Sequence, residues 1–254
     1  MNSPLKPPIT SSKSLATIKK LIPEGSVVHS FLFYDGNIEV QLSDSKRFVI
    51  AHTNKYVNYE FWQCLMNDPE RVAIIADHFG PIESENIFDI LQKEWLKYSD
   101  PFIRSGIYYL LNQSSDLGYI TSGKLIEGLD LKRNILKMKS FKTENLHVQL
   151  DTEEDFLDSI AAIDSRCDFV FLPVRSFSFN FLEEGKNIGF EQTTVIHKKL
   201  KDLIEKTDKK VILLYDYSKQ VDKLYKDYNI KIIDQWGRDT NVHKFAKEML
   251  VANF

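Results

Sequence analysis

Cysteine is scarce in this chain: Cys64 and Cys167 occur alone, far apart in sequence. Two distant thiols make neither a disulfide framework nor a metal knuckle, and both read as core or half-buried groups. Long apolar runs are missing too. No stretch approaches the roughly 20 residues of a membrane-spanning helix, so no membrane partner is expected. Residues 1–14 are rich in Pro, Ser and Lys and lack the apolar centre of a secretion signal. A reducing, cytoplasmic setting is the resulting expectation. Charge of one sign is not in excess. The formal net charge is -3, which gives no global pull toward nucleic acid or an acidic membrane. Internal repeats and low-complexity segments are absent. With 43% apolar and 27% charged residues over 254 positions, the composition is that of a globular protein. The length suits one large domain, or a core with an insertion.

What is present is an ordered change of pattern. Residues 1–12 hold Pro4, Pro7 and Pro8 and read as an extended arm. Residues 13–22 predict a short helix stopped by Pro23-Glu24-Gly25. Residues 26–33 predict a strand, Tyr34-Asp35-Gly36-Asn37 a turn, 38–42 a helix or second strand, and 47–51 another strand. From 56 to 111 apolar residues recur at helical spacing. Val57, Phe61, Leu65 and Met66 share one face; Val72, Ile75, Ala76 and Phe79 share another. Helices are expected over 87–98 and 101–112, a polar loop over 113–128, and a basic, irregular stretch over 132–147. A helix over 153–163 takes Thr152 as its N-cap. A strand over 168–172 precedes an aromatic loop over 177–190, where Phe177, Phe179 and Phe181 alternate. An amphipathic helix over 193–207, strands over 211–215 and 230–234, a helix over 220–227 and a last short helix over 242–251 follow. Strands alternating with helices are the signature of an α/β, doubly wound, mostly parallel sheet. The expected division is a core of 1–55 and 148–254 with a helical insertion over 56–147.

One stretch organises the second half. Asp168-Phe169-Val170-Phe171-Leu172 is an apolar run that stops at Pro173-Val174-Arg175-Ser176. It reads as a buried parallel strand ending at the carboxyl edge of its sheet, where open α/β sheets bind ligands. Yet no carboxylate, His or Cys stands beside the proline. Asp168 lies at the opposite end of the strand, roughly 16 Å away. Asp216 and Asp35, at other strand ends, are the surviving candidates for a general base. His52 and His197 lack a second ligand at helical i+4 spacing and read as structural histidines, so no metal site is expected. Arg175 suits a phosphate, a partner carboxylate or an internal ion pair. Lys124, Lys132, Arg133, Lys137, Lys139 and Lys142 fall in a window whose acids before Glu144 are Glu127 and Asp130. Clustered cations of this kind contact nucleic-acid phosphates, or simply form a solvated face.

The order of elements and five local matches resemble the Dam-type adenine-N6 DNA methyltransferases. Lys6 and Ser11-Ser12-Lys13-Ser14, with Leu21-Ile22-Pro23-Glu24-Gly25 after the helix, resemble that family's K-W-x-G-G-K segment. Leu110-Leu111-Asn112, followed by Gly118-Tyr119, resembles its L-N-x-x-x-x-N-G-L-Y turn. Residues 168–172 match the strand that carries its D-P-P-Y. Phe190 with His197 and Leu200 resembles F…D-H-x-x-L. Leu214-Tyr215-Asp216-Tyr217-Ser218, then Leu224-Tyr225-Lys226, resembles its late S-Y-N-D-S strand and helix. The resemblance runs from residue 5 to 234. It implies a Rossmann-like methyltransferase core, S-adenosylmethionine as cofactor, and a helical insertion that reads DNA through Lys124, Lys132, Arg133, Lys137 and Lys139. Lys13, Tyr34, Asp35, Gly36 and His52 then stand at cofactor positions, and Pro173, Val174, Arg175 and Ser176 at the D-P-P-Y positions.

The departures fall where the chemistry is. A glycine-rich turn lets backbone N–H groups approach a ligand, but Phe31-Leu32-Phe33-Tyr34-Asp35-Gly36-Asn37 keeps Gly36 alone. The acid expected for the ribose hydroxyls is replaced by His52. Pro173 to Ser176 offers no oxygen to accept from an adenine amino group and no ring to stack on a flipped base. Arg175 repels a sulfonium by charge. The expectation is therefore a catalytically inactive homologue without cofactor, retained as a structural or binding module or as the inactive partner of an active subunit. The alternatives are an active S-adenosylmethionine-dependent adenine-N6 DNA transferase with an unorthodox site, and a DNA-binding protein without chemistry. Its Lys/Asn/Ile-rich composition fits a phage or another compact AT-rich genome, which would place it in the virion or the host cytoplasm.

Overall fold

The computed structural model describes residues 2–7, 12–116, 118, 120, 123–151, 156–163, 166–175, 180–181 and 193–254. In chain order, α1 (Leu15–Leu21) leads into β1 (Val27–Ser30), α2 (Asn37–Ser43) and β2 (Phe48–Thr53). A helical block follows: α3 (Tyr56–Asn67), α4 (Pro69–Phe79), α5 (Glu85–Glu94), α6 (Pro101–Ser114) and α7 (Lys132–Lys139). Next come β3 (Leu146–Leu150), α8 (Phe156–Ala161), β4 (Phe169–Arg175), and the short antiparallel pair β5 (Asn180–Phe181) and β6 (Thr193–Thr194). The chain closes with α9 (His197–Lys206), β7 (Lys210–Asp216), α10 (Lys219–Leu224), β8 (Asn229–Asp234) and β9 (Ala246–Ala252).

Seven strands form one sheet in the order β3-β2-β1-β4-β7-β9-β8. Neighbours from β3 through β7 are parallel, and β9 lies antiparallel to both β7 and β8. Leaving β9 aside, the remaining six run in the Rossmann order, third-second-first-fourth-fifth-sixth. The expected doubly wound, mostly parallel sheet is present, with one reversed strand slotted between its last two parallel members.

Why the central strands read as unbroken apolar runs is plain in β4. Phe169 and Phe171 join the core on one face, while Val170, Leu172 and Val174 join the core on the other. Successive side chains alternate in space, and both faces are covered, so no polar position is left in the run. Burying each such side chain stabilises the fold by roughly 1.5–3 kcal/mol. The first face packs on α1, α2 and the helical block; Ile18, Val40, Phe61, Trp62 and Tyr108 belong to one continuous cluster with Val28 and Val49. The second face packs on α8, α9 and α10 through Ile160, Leu200 and Val221. Asp-Pro pairs start two helices of the block. Asp68 accepts from Arg71 N at 2.9 Å, and Asp100 from Phe102 N at 2.7 Å, each with proline in the first turn, where its missing N–H costs nothing.

Several elements differ from expectation. The tail is strand β9, preceded by a 3-10 turn over His243–Phe245, and not a helix. Its burial is continuous from Glu248 to Ala252 because strands flank it and helices cover it, so the period-two signal that marks a strand is erased. Residues 132–147 are not irregular: they hold α7 and the start of β3. β4 runs past Pro173 to Arg175. β1 is shorter than residues 26–33, and α9 begins at His197, not at residue 193. The polar loop begins later, since α6 reaches Ser114, and it closes as a small antiparallel turn with Ser115 bridged to Leu125. Thr152, Ser176, Phe177, Phe179 and Phe190 lie outside the described residues.

Candidate functional site

The sheet's switch point lies between β1 and β4, where the chain first winds outward through β2 and β3 and then the other way through β7. Beyond β1 the backbone stays tied down. Phe31 N donates to Phe171 O at 3.0 Å, and Phe33 N donates to His52 O at 3.0 Å. Leu32 takes a left-handed conformation (φ 59°) to make this crossover. Phe33 and Tyr34 are then buried at 1% and 5% exposure. Their carbonyls are taken by the helical block: Asn58 Nδ2 donates to Phe33 O at 3.0 Å and Trp62 Nε1 to Tyr34 O at 3.1 Å. Gly36 has φ 70°, and a Cβ there would stand 2.6 Å from two indole carbons of Trp62. The room left by the missing side chain is filled by a ring of the protein itself.

On the other side of the switch point, Pro173 shapes the edge. It has no N–H for the ladder, and the β4–β7 register shifts between Leu172 and Arg175. This bulge re-aims the strand end. Arg175 adopts φ 64°, rare for a residue with a Cβ. Its guanidinium is 11% exposed, with Nη1 donating to Glu248 Oε1 at 3.0 Å and Nη2 3.4 Å from Asp216 Oδ1. Glu248, from β9, is 2% exposed. Its second oxygen accepts from Ser14 N and Ser14 Oγ, both at 2.7 Å, and from Ser12 Oγ at 3.1 Å. One carboxylate thus ties the segment before α1 to the end of β4.

Several buried or half-buried acids lie along this edge. Burial pushes the Asp35 carboxyl up, against two hydrogen bonds from Asn37 (2.8 and 2.7 Å) and the charge of Arg175. Burial likewise raises Glu39 to about 7, helped by Asp35 and opposed by the Ser30 hydroxyl that donates to it at 2.7 Å. Asp216 is raised by burial and by Glu248, against Arg175 and Lys247. For all three, removal from water is the main cause.

The N-terminal arm lies over the same region. Ser3 Oγ donates to Asp35 O, and Leu5 is buried. Lys6 N donates to Asn112 Oδ1 at 2.7 Å, and Asn112 Nδ2 returns to Lys6 O at 3.0 Å and to Gly118 O at 2.7 Å. Gly118 has φ 74°, and a Cβ there would meet Lys6 O at 2.8 Å. Lys13 is exposed, with its carbonyl against Gly237 in the turn after β8.

His52 sits below the edge, 5% exposed, in a relay across three strands. Its Nδ1–H donates to Asp151 Oδ1 at 2.8 Å, and its Nε2 lies 2.9 Å from His29 Nδ1. The carboxylate and the two rings thus hold each other in one orientation. Phe31 stacks on its ring at 4.2 Å. His197 Nδ1 meets Tyr215 Oη at 3.0 Å. Among the described residues, no three or more His, Cys, Asp or Glu side chains come together as metal ligands.

The edge therefore collects Tyr34, Asp35, Gly36, Arg175, Asp216 and the segment of Lys13. The basic window lies elsewhere, in the helical block. Lys132, Arg133, Lys137 and Lys139 are exposed on α7, opposite Ile135 and Met138, and Lys139 pairs with Glu70 of α4 at 2.5 Å. Sequence reasoning missed Glu248, Glu39 and Trp62. A glutamate inside the run Ala246-Lys247-Glu248-Met249-Leu250-Val251 was the one available sign of a buried charge.

The strand order identifies the fold as Rossmann-like. No protein-family model and no curated protein matches the chain. Among solved structures, precorrin 8w decarboxylase of Methanobacterium thermoautotrophicum is 9% identical, covering 100% of this chain and 96% of that one, with a TM-score of 0.39. An antibiotic-related methyltransferase is 10% identical, covering 98% of both chains, with a TM-score of 0.33. The likeness to methyltransferases is thus distant. No helix among the described residues is long and apolar enough to cross a membrane.

Proposed function

We infer that this chain is a methyltransferase-like protein that has exchanged catalysis for binding and works without S-adenosylmethionine. One observation carries the reading: among the described residues, the edge where the fold binds ligands is filled and paired by the protein's own groups. Trp62 occupies the space over Gly36, and Arg175 is locked to Glu248, which is locked to Ser14. A sulfonium cofactor does not fit these residues. Its glycine turn is filled by Trp62, and the place of the ribose acid is held by His52, already engaged with Asp151 and His29. Positions 173–175 bring no carboxylate, amide or ring to a target base. The helical insertion, residues 56–147, then serves as part of a binding body rather than as the guide for a reaction.

Titration calorimetry and thermal melting with S-adenosylmethionine test this. The expected result is no saturable heat, no rise in Tm, and no methyl transfer to duplex DNA. Saturable binding with methyl transfer would establish the active alternative instead.

A second reading, duplex DNA binding by the insertion, is favoured by the regular helix that presents Lys132, Arg133, Lys137 and Lys139 together, with Lys124 exposed nearby in sequence. It predicts a steep fall of duplex affinity with salt, and a shallower one when these five are neutralised. Equal affinity before and after neutralisation excludes it.

A further inference from the structure

The far end of the carboxyl edge differs from the closed switch point. Between β8 and β9 the chain turns out of the sheet and exposes Trp236 at 63%, Val242 at 52% and Phe245 at 44%. The Trp236 and Phe245 rings lie 6.0 Å apart, tilted at 51°. Tyr217, just past β7, faces His243 with ring centroids 5.6 Å apart. This is an organised turn. Asp234 Oδ1 accepts from Trp236 N at 2.8 Å and from Arg238 N at 3.0 Å, and Asp234 N donates to Arg238 O at 2.9 Å. Thr240 N donates to Ile232 O at 2.9 Å, so the returning segment caps the edge strand. The indole is therefore carried on a fixed backbone.

Cations share the segment that carries the rings. Arg238 and Lys244 are exposed on the same turn, and Lys247 is exposed just past it, at the start of β9. The facing acids are few: Asp239 is exposed, Asp234 is buried and spent on the turn, and Asp216 and Glu248 belong to Arg175. A buried core needs no such cations, and a plain solvated turn needs no such rings. Flat aromatic faces beside a positive rim are what a single-stranded nucleic acid requires: bases stack on the rings while phosphates meet the lysines and arginine.

We propose that the β8–β9 turn is a stacking platform for single-stranded nucleic acid, with Trp236 and Phe245 receiving bases and Arg238, Lys244 and Lys247 the backbone. The site is built on other residues than α7 and than the turn after β1, so it does not depend on whether either of those binds anything.

The chain supplies its own reporter. It has three tryptophans, and Trp62 and Trp95 are buried at 0% and 1%, which leaves Trp236 as the one that solvent and ligand reach. The full chain is titrated with short oligo-dT and oligo-rU, read by tryptophan emission and by anisotropy of a labelled strand. Stacking quenches the emission, and affinity falls with rising salt. Trp236→Ala weakens binding by about 5- to 100-fold, in keeping with one lost stack. Lys244→Glu with Lys247→Glu weakens it by about tenfold or more and flattens the salt slope. Lys93→Glu with Lys206→Glu, on distant helices, leaves affinity unchanged. A preference for one oligomer assigns the ligand as DNA or RNA, and equal binding assigns the platform to either. No anisotropy change at low salt would overturn the proposal, as would binding indifferent to both the Trp236 and the lysine variants. A shift in Trp236 emission that tracks protein concentration with no oligomer present would overturn it in favour of a second copy of the chain.

Discussion

Among the described residues, the carboxyl edge over β1 and β4 is filled by the protein's own side chains, whereas over β8 and β9 rings stand exposed. In the closed half, Trp62 fills the glycine turn, Phe33 and Tyr34 are buried, and Arg175 is held by Glu248 and Asp216. In the open half, Trp236, Val242 and Phe245 stand in solvent on a turn fixed by Asp234. The switch point is where a sheet of this order binds ligands. What differs is whether the protein's own side chains already satisfy the groups there. A site completed internally contributes to stability, whereas one left exposed is available to a partner. Substitutions in the two halves should therefore divide cleanly between stability and binding.

The largest effect is expected at Trp62. Trp62→Ala removes the indole over Gly36 and its bond to Tyr34 O, and should cost about 3–5 kcal/mol in urea unfolding. A loss under about 1 kcal/mol would mean the turn collapses without it, and the closed half would lose its keystone. Arg175→Ala should come next, at about 2–4 kcal/mol, because it leaves the Glu248 carboxylate buried without its cation. Changing Glu248 to Gln in the same chain should recover much of that loss, which a double-mutant cycle measures.

The third expectation concerns pH. Folded Glu39 titrates at about 7, above its ordinary 4.5, because burial disfavours the charge. Between those values the folded chain holds a proton that the unfolded chain has released. Stability is therefore full below pH 4.5 as far as this group is concerned, falls as pH rises through that window, and is flat above it. Glu39→Gln should flatten that descent and raise stability at pH 8 by on the order of 1–3 kcal/mol. An unchanged pH profile would show that Glu39 is not the group responsible. The smallest effect on folding is expected in the open half: Trp236→Ala should change stability by less than about 0.5 kcal/mol. A large loss there would erase the contrast, making the exposed turn as structural as the closed one.

Much of the sheet was legible from local pattern, because a buried parallel strand must be apolar at nearly every position. The run at 168–172 and its neighbour at 211–215 carry that mark, and both stand in the middle of the sheet. The same rule hid β9. Its residues are buried on both faces, so period two vanishes and a short helix fits the letters equally well. The site was less legible. Pro173 signalled the end of ladder pairing but not the bulge that carries the strand on to Arg175. Glu248 lies 73 residues from Arg175 and 234 from Ser14, so no local window could join the three.

Residue identities and tertiary structure each account for part of this edge. Residue identities alone determined that the β1 turn keeps one glycine and that the strand ending at Pro173 brings no catalytic oxygen or ring, since those are properties of side chains wherever they stand. They also determined the alternation of strands and helices, through apolar spacing. The tertiary structure alone decided what replaced the missing chemistry. The indole over Gly36, the carboxylate facing Arg175 and the rings exposed after β8 are matters of distance between residues remote in sequence. Electrostatics and packing act over a few ångströms of space, and only the folded sheet sets that space.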